Sequence, residues 1–89
     1  MAQKTFFLEI VCPEGIFFEG PAVMAQMLTS EGQIGVYAGH IPMTCLLEPG
    51  PFHIIKAQGN DVSAELKEGF VEILPQKLTV LTEGAQWQR

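Results

Sequence analysis

The sequence predicts an all-β domain, a sandwich or flattened barrel, on three observations. Short apolar segments alternate with turn residues roughly every eight to twelve positions. No window sustains the i, i+3, i+4, i+7 spacing of an amphipathic helix. The breaks between segments are rich in glycine and proline, the residues that end strands and shape turns.

In chain order, Thr5 to Val11 reads as a strand with Phe6, Leu8 and Ile10 on one face and Phe7, Glu9 and Val11 on the other, covered in part on both sides. Cys12-Pro13-Glu14-Gly15 ends it. Ile16 to Phe18 is a brief second strand closed by Glu19-Gly20-Pro21, and Val23 to Thr29 a third. Met43 to Leu47 is a strand ended by Glu48-Pro49-Gly50-Pro51, where the prolines cannot donate to a ladder and mark a sheet boundary.

Phe52 to Ala57 and Val62 to Leu66 flank Gly59-Asn60, a two-residue hairpin signal. Lys67-Glu68-Gly69 before Phe70 to Leu74 repeats that device, and Pro75-Gln76 turns the chain into Lys77 to Thr82. After Thr82 the alternation stops. Trp87, in the remaining tail, reads as a plug for the core or as an exposed contact, with the plug favoured because exposed tryptophan is rare.

The 89 residues and 9.8 kDa bound a single domain, 1–89. Hydrophobic residues make up 47% and charged residues 17%, which favours a packed core over disorder. Five Lys and Arg against ten Asp and Glu give a net charge of −5, the reverse of what a phosphate backbone selects, so no nucleic-acid partner is expected. The same sign disfavours anionic lipid, so membrane association is expected through a protein and not by lipid insertion. With no apolar run of about eighteen residues and no signal-peptide pattern, a cytosolic chain is expected. Cys12 and Cys45 read as small buried hydrophobes.

Chemistry is sparse. No Gly-x-Ser-x-Gly elbow or catalytic-cysteine signature is present, His40 and His53 lie in different segments, and no His-x-His or Cys-x-x-Cys spacing offers a metal. No catalytic residue, metal or cofactor is therefore assigned. The distinctive stretch is Ser30-Glu31-Gly32-Gln33-Ile34-Gly35-Val36-Tyr37-Ala38-Gly39-His40-Ile41-Pro42, read as one ordered loop. Gly32, Gly35 and Gly39 would take positive φ or admit another backbone, and Pro42 would fix the exit. Without a following helix or a Lys-Ser/Thr pair, it lacks the amide dipoles of a phosphate-binding loop. The residues alone thus describe a small acidic β domain that binds another protein through a shaped polar loop.

That stretch resembles the S-E-G-x-[LI]-G-[IV]-x-P-G-H-x-P segment of the epsilon subunit of F-type ATP synthases. The likeness extends to Leu8-Glu9-Ile10-Val11-Cys12-Pro13-Glu14, to Glu68-Gly69-Phe70-Val71-Glu72-Ile73 and to Leu78-Thr79-Val80-Leu81-Thr82. It implies a flattened β-sandwich of about ten strands and a non-catalytic central-stalk subunit. Such a subunit joins the gamma subunit to the c ring below the alpha/beta head and couples ion-driven rotation to ATP synthesis or hydrolysis. It would sit on the cytoplasmic face of an energy-transducing membrane. The implied partner contacts are Ser30, Glu31, Gln33, Tyr37 and His40, with Gly32, Gly35, Gly39 and Pro42 shaping the loop.

Three departures accompany the resemblance. Ala38 stands where the family usually has proline, and Gln33 where an acidic residue is common. The sequence stops at Arg89, where most members continue into a helical hairpin, so inhibition by that hairpin and nucleotide sensing through its [IL]-D-x-x-R-A motif are expected to be absent. A competing reading is a β-sandwich module for a small ligand such as a carbohydrate, with Trp87, Tyr37 and His40 lining one cleft.

Overall fold

A computed structural model describes residues 4–88. Nine strands follow in chain order: β1 (Phe6–Cys12), β2 (Gly15–Thr29), β3 (Gly32–Val36), β4 (Met43–Leu47), β5 (Gly50–Lys56), β6 (Asp61–Leu66), β7 (Gly69–Leu74), β8 (Lys77–Thr82) and β9 (Ala85–Trp87), with no helix among the described residues.

The strands form two layers that share β2. Its first half, paired with β1, begins the order β2-β1-β8-β7-β4, and its second half carries β3 on one side and β5, β6 and β9 on the other. We call these the first and second sheets. Counting β2 in each layer gives ten strands, the number expected. The extents of 37 × 28 × 21 Å are those of a flattened sandwich.

Alternation explains most of this. Phe6, Leu8 and Ile10 of β1 face Leu78 and Val80 of β8, Val71 and Ile73 of β7, and Phe52, Ile54, Ala64 and Leu66 of the second sheet in one buried cluster. Burial of such side chains contributes about 1.5–3 kcal/mol each before entropy is counted. The buried hydroxyls are satisfied: Thr29 Oγ1 donates to the Gly32 carbonyl at 2.8 Å, and Thr82 Oγ1 to the Lys67 carbonyl at 2.7 Å.

The structure corrects five local expectations. The two strands expected across 16–29 are one strand of 15 residues, because Glu19, Gly20 and Pro21 stay paired with Glu9, Leu8 and Phe7 of β1 until Ala22 passes the strand to β5. A register shift between Ala22 and Met24 then breaks the alternation, and the consecutive residues Met24 and Ala25 are both buried. Lys67-Glu68 is not a hairpin but the crossing from the second sheet to the first, since β6 pairs β5 and β9 while β7 pairs β4 and β8. The β5–β6 connection is four residues, Ala57 to Asn60, with Gly59 alone at positive φ. The tail beyond Thr82 forms β9 on the edge of β6. Finally, Cys12 is only partly buried, unlike Cys45.

One pairing has no local signature. β1 runs parallel to β8, with Leu8 opposite Leu78 and Ile10 opposite Val80. This closes the first sheet across nearly the whole chain length.

Candidate functional site

The stretch from Ser30 to Pro42 is not a single loop. It consists of a turn at Ser30-Glu31, strand β3, and a second loop from Tyr37 to Pro42. The five residues of β3 span roughly 17 Å at ~3.4 Å per residue. Glu31 and Gln33 therefore stand near one end of the sandwich and Tyr37 and His40 toward the other, so the expected site residues do not form one patch.

The turn is built by Thr29. From its buried position its hydroxyl donates to the Gly32 carbonyl and accepts the Glu31 N–H at 3.0 Å. Gly32 follows at φ 102°, a conformation open to glycine and strained for other residues. Glu31 and Gln33 are left exposed. Ser30 is tied to β4: its N–H donates to the Leu46 carbonyl at 2.9 Å, and its Oγ accepts the Leu46 N–H at 3.2 Å.

The second loop is held at a different place. The Gly39 N–H donates to the Pro75 carbonyl at 2.7 Å, fixing the loop to the β7–β8 turn, and Gly39 takes φ 87°. The His40 N–H donates to the Tyr37 carbonyl at 3.2 Å. His40 Nδ1 lies 2.7 Å from the Ile41 carbonyl. A carbonyl only accepts, so Nδ1 carries the proton of this bond. Ile41 is 73% exposed, the most exposed large hydrophobic residue of the described chain, and reasoning from the sequence passed over it. Gly35 does not take positive φ; it lies in β3 opposite Gln26, so its expected loop-shaping role is not observed.

A larger surface lies on the outward face of the first sheet. The register aligns Ile16 with Val11, Val11 with Leu81, Leu81 with Phe70, and Phe70 with Leu46, one residue from each of five adjacent strands. Ile16, Leu81, Phe70 and Leu46 are among the exposed large hydrophobics. At ~4.8 Å between strands this apolar row is roughly 19 Å long. Two residues along each strand, or three along β2 where the register shifts, Glu19, Glu9, Thr79, Glu72 and Thr44 make a parallel polar row with three carboxylates. Glu9 is 3.7 Å from Lys77 Nζ. The turns just beyond the apolar row carry Glu14, Glu48, Glu68 and Glu83. Each apolar member is visible in the sequence as an outward position of its own strand, but only the register assembles the row.

The outward face of the second sheet is polar by contrast. Gln26, His53 and Ser63 sit side by side, with His53 Nδ1 2.9 Å from Ser63 Oγ and Nε2 3.8 Å from Asp61. Trp87 pairs with buried Ala64 and so points to the core side, where it stacks on Phe17 at 4.4 Å across the open edge between the layers. It is 41% exposed, an edge plug and not a fully buried one. Trp87 lines a shallow depression with His53, Asp61 and Ser63, while Tyr37 lines another with Lys4, Val23 and Ala38. Trp87 and Tyr37 thus line separate depressions and His40 lines neither, which leaves the carbohydrate reading without support. Among the described residues no three His, Cys, Asp or Glu side chains gather as a metal site.

Fold and surfaces together define a β-sandwich with two differently held polar turns and an apolar face. Residues 5–88 match the family described as ATP synthase, Delta/Epsilon chain, beta-sandwich domain, and the chain belongs to that family. It is 40% identical over 85 residues to the ATP synthase epsilon chain of Ruminiclostridium cellulolyticum, covering 96% of this chain and 63% of that one. It is 34% identical over 84 residues to the ATP synthase epsilon chain of Shouchella clausii, covering 94% and 62%. The chain thus spans somewhat under two thirds of these relatives' length.

In fold it matches a chain of the Euglena gracilis mitochondrial ATP synthase OSCP/F1/c-ring structure, with a TM-score of 0.88 at 20% identity over 98% of this chain and 56% of that one. A chain of the Tetrahymena thermophila mitochondrial ATP synthase central stalk and c ring matches with a TM-score of 0.78 at 11% identity, over 96% and 68%.

Proposed function

We propose that this chain works as the epsilon-type component of the central stalk of an F-type ATP synthase, joining gamma to the c ring on the cytoplasmic face of the membrane. It would couple ion-driven rotation to ATP synthesis or hydrolysis in the alpha/beta head while contributing no chemistry of its own. The observation that carries this reading is the apolar row Ile16, Val11, Leu81, Phe70 and Leu46 on the first sheet, beside the polar turn at Ser30-Glu31. A subunit gripped by one partner and resting on another needs two surfaces of different chemistry on one stiff body. The apolar row suits the larger, permanent contact with gamma, since apolar area removed from water supplies affinity. The exposed turn with Glu31 and Gln33 suits modest polar contacts to the loops of the c ring, and His40 and Tyr37 on the second loop extend the surface offered to gamma.

Co-elution with purified gamma and with a gamma–c-ring complex tests this. Phe70→Asp, which places a charge in the middle of the row, should abolish co-elution with gamma while circular dichroism stays unchanged, because the side chain is half-exposed. Glu31→Lys should weaken retention on the c ring and leave gamma binding intact. Undiminished gamma binding by a folded Phe70→Asp protein would refute the assignment of that face.

A further inference from the structure

We infer that Ser30 is a positioning residue, whose hydroxyl replaces a ladder carbonyl at the point where β2 turns away from β4 and so fixes the polar turn relative to the apolar row. The inference rests on the two-surface reading given above. In a regular antiparallel pair, every second pair of facing residues exchanges both N–H···O bonds. Thr29 faces Leu47, the Glu48 N–H donates to the Leu28 carbonyl at 2.9 Å, and the Ser30 N–H donates to the Leu46 carbonyl at 2.9 Å. The bond back from Leu46 would ordinarily end on the Ser30 carbonyl. Here it ends on Ser30 Oγ at 3.2 Å, because the chain is already turning through Ser30-Glu31 under the hold of the Thr29 hydroxyl.

Both backbone groups of Leu46 are thus committed to one residue of the turn, and the Leu46 side chain is a member of the apolar row. The β2–β4 pairing is short, with a single aligned residue pair, so each of its few bonds counts in setting the angle between the layers at this end. Alanine leaves the Leu46 N–H to water. Threonine keeps the acceptor.

The test combines amide hydrogen exchange on the isolated chain with dissociation from a reconstituted gamma–c-ring complex. Ser30→Ala should speed exchange of the Leu46 amide and raise the dissociation rate from the c ring by about three- to ten-fold, the range of one lost hydrogen bond. The melting temperature should fall by no more than a few degrees, gamma binding should fall less than c-ring retention, and Ser30→Thr should restore the altered readouts. Unchanged exchange at Leu46 in Ser30→Ala would overturn the inference, including where c-ring retention falls, since Ser30 would then be touching the partner directly. Failure of Thr to restore either readout would also overturn it. A wild-type chain that bound neither gamma nor the c ring would refute the two-surface reading, while the exchange measurement would still decide the joint itself.

Discussion

Glycines of this chain that look alike in sequence have different physical duties. Gly39 takes φ 87°, where a side chain is strained even though nothing crowds the position. Gly35 lies in a strand at ordinary φ, with Tyr37 Cε2 3.9 Å from where a Cβ would stand. Gly69 has ordinary φ but no room, because a Cβ would overlap the Leu81 carbonyl of the neighbouring strand. Gly39→Val should therefore cost about 1–3 kcal/mol and Gly69→Ala about 1–3 kcal/mol or more. Gly35→Ala should be nearly silent. Urea unfolding of the three variants checks this, and a Gly35→Ala cost equal to that of Gly39→Val would contradict the assigned conformations. At Cys12, partial desolvation followed by the neighbouring Glu14 raises the thiol's pKa above its ordinary value.

Among the elements, β9 shows how three residues complete a sandwich. Ala85 and Trp87 pair with Leu66 and Ala64, which sets Trp87 on the core side and against Phe17 of β2. Phe18 meets the same indole edge-on at 6.1 Å, and Lys56 Nζ lies 5.9 Å from the Phe18 ring. Trp87→Ala should lower stability by about 1–3 kcal/mol, less than the 3–5 kcal/mol typical of a fully buried aromatic, because a substantial part of the ring is already in water. Denaturant midpoints measured by circular dichroism test this, and a change within error would mean that the edge is closed without Trp87. Both readings of that residue held in part: it covers the core and remains accessible.

At the scale of the whole molecule, the net charge of −5 is unevenly placed, with Glu14, Glu48, Glu68 and Glu83 in the turns at one end of the first sheet. Their mutual repulsion opposes compaction. Added sodium chloride should stabilise the isolated chain by up to about 1 kcal/mol as the screening length falls from ~10 Å at 0.1 M. Urea titrations at low and high salt provide the measurement, and a fall in stability with salt would show that favourable ion pairs such as Lys77–Glu9 outweigh the repulsion.

The all-β class, the alternation along β1 and the β7–β8 turn were legible in the sequence because they rest on residue pattern and local turn chemistry. The parallel β1–β8 pairing, the crossing at Lys67-Glu68 and the apolar row were not, because they depend on which strands meet and in what register. The stretch from Ser30 to Pro42 was recognisable as special, yet its glycine spacing suggested one loop where Gln33, Ile34 and Val36 form a strand. Of its polar residues Ser30, Glu31, Gln33 and Tyr37 are exposed and His40 is partly covered. That they lie toward opposite ends follows only once β3 is seen to pair with β2.

Strand β2 belongs to both layers, entering beside β1 at Gly15 and leaving beside β4 at Thr29. In many sandwiches the two sheets meet only through side chains, and sliding one over the other costs rearranged packing. Here such a slide would have to bend or stretch a continuous backbone running through Ala22 and Val23. A load applied to one face is thus passed to the other along covalent bonds.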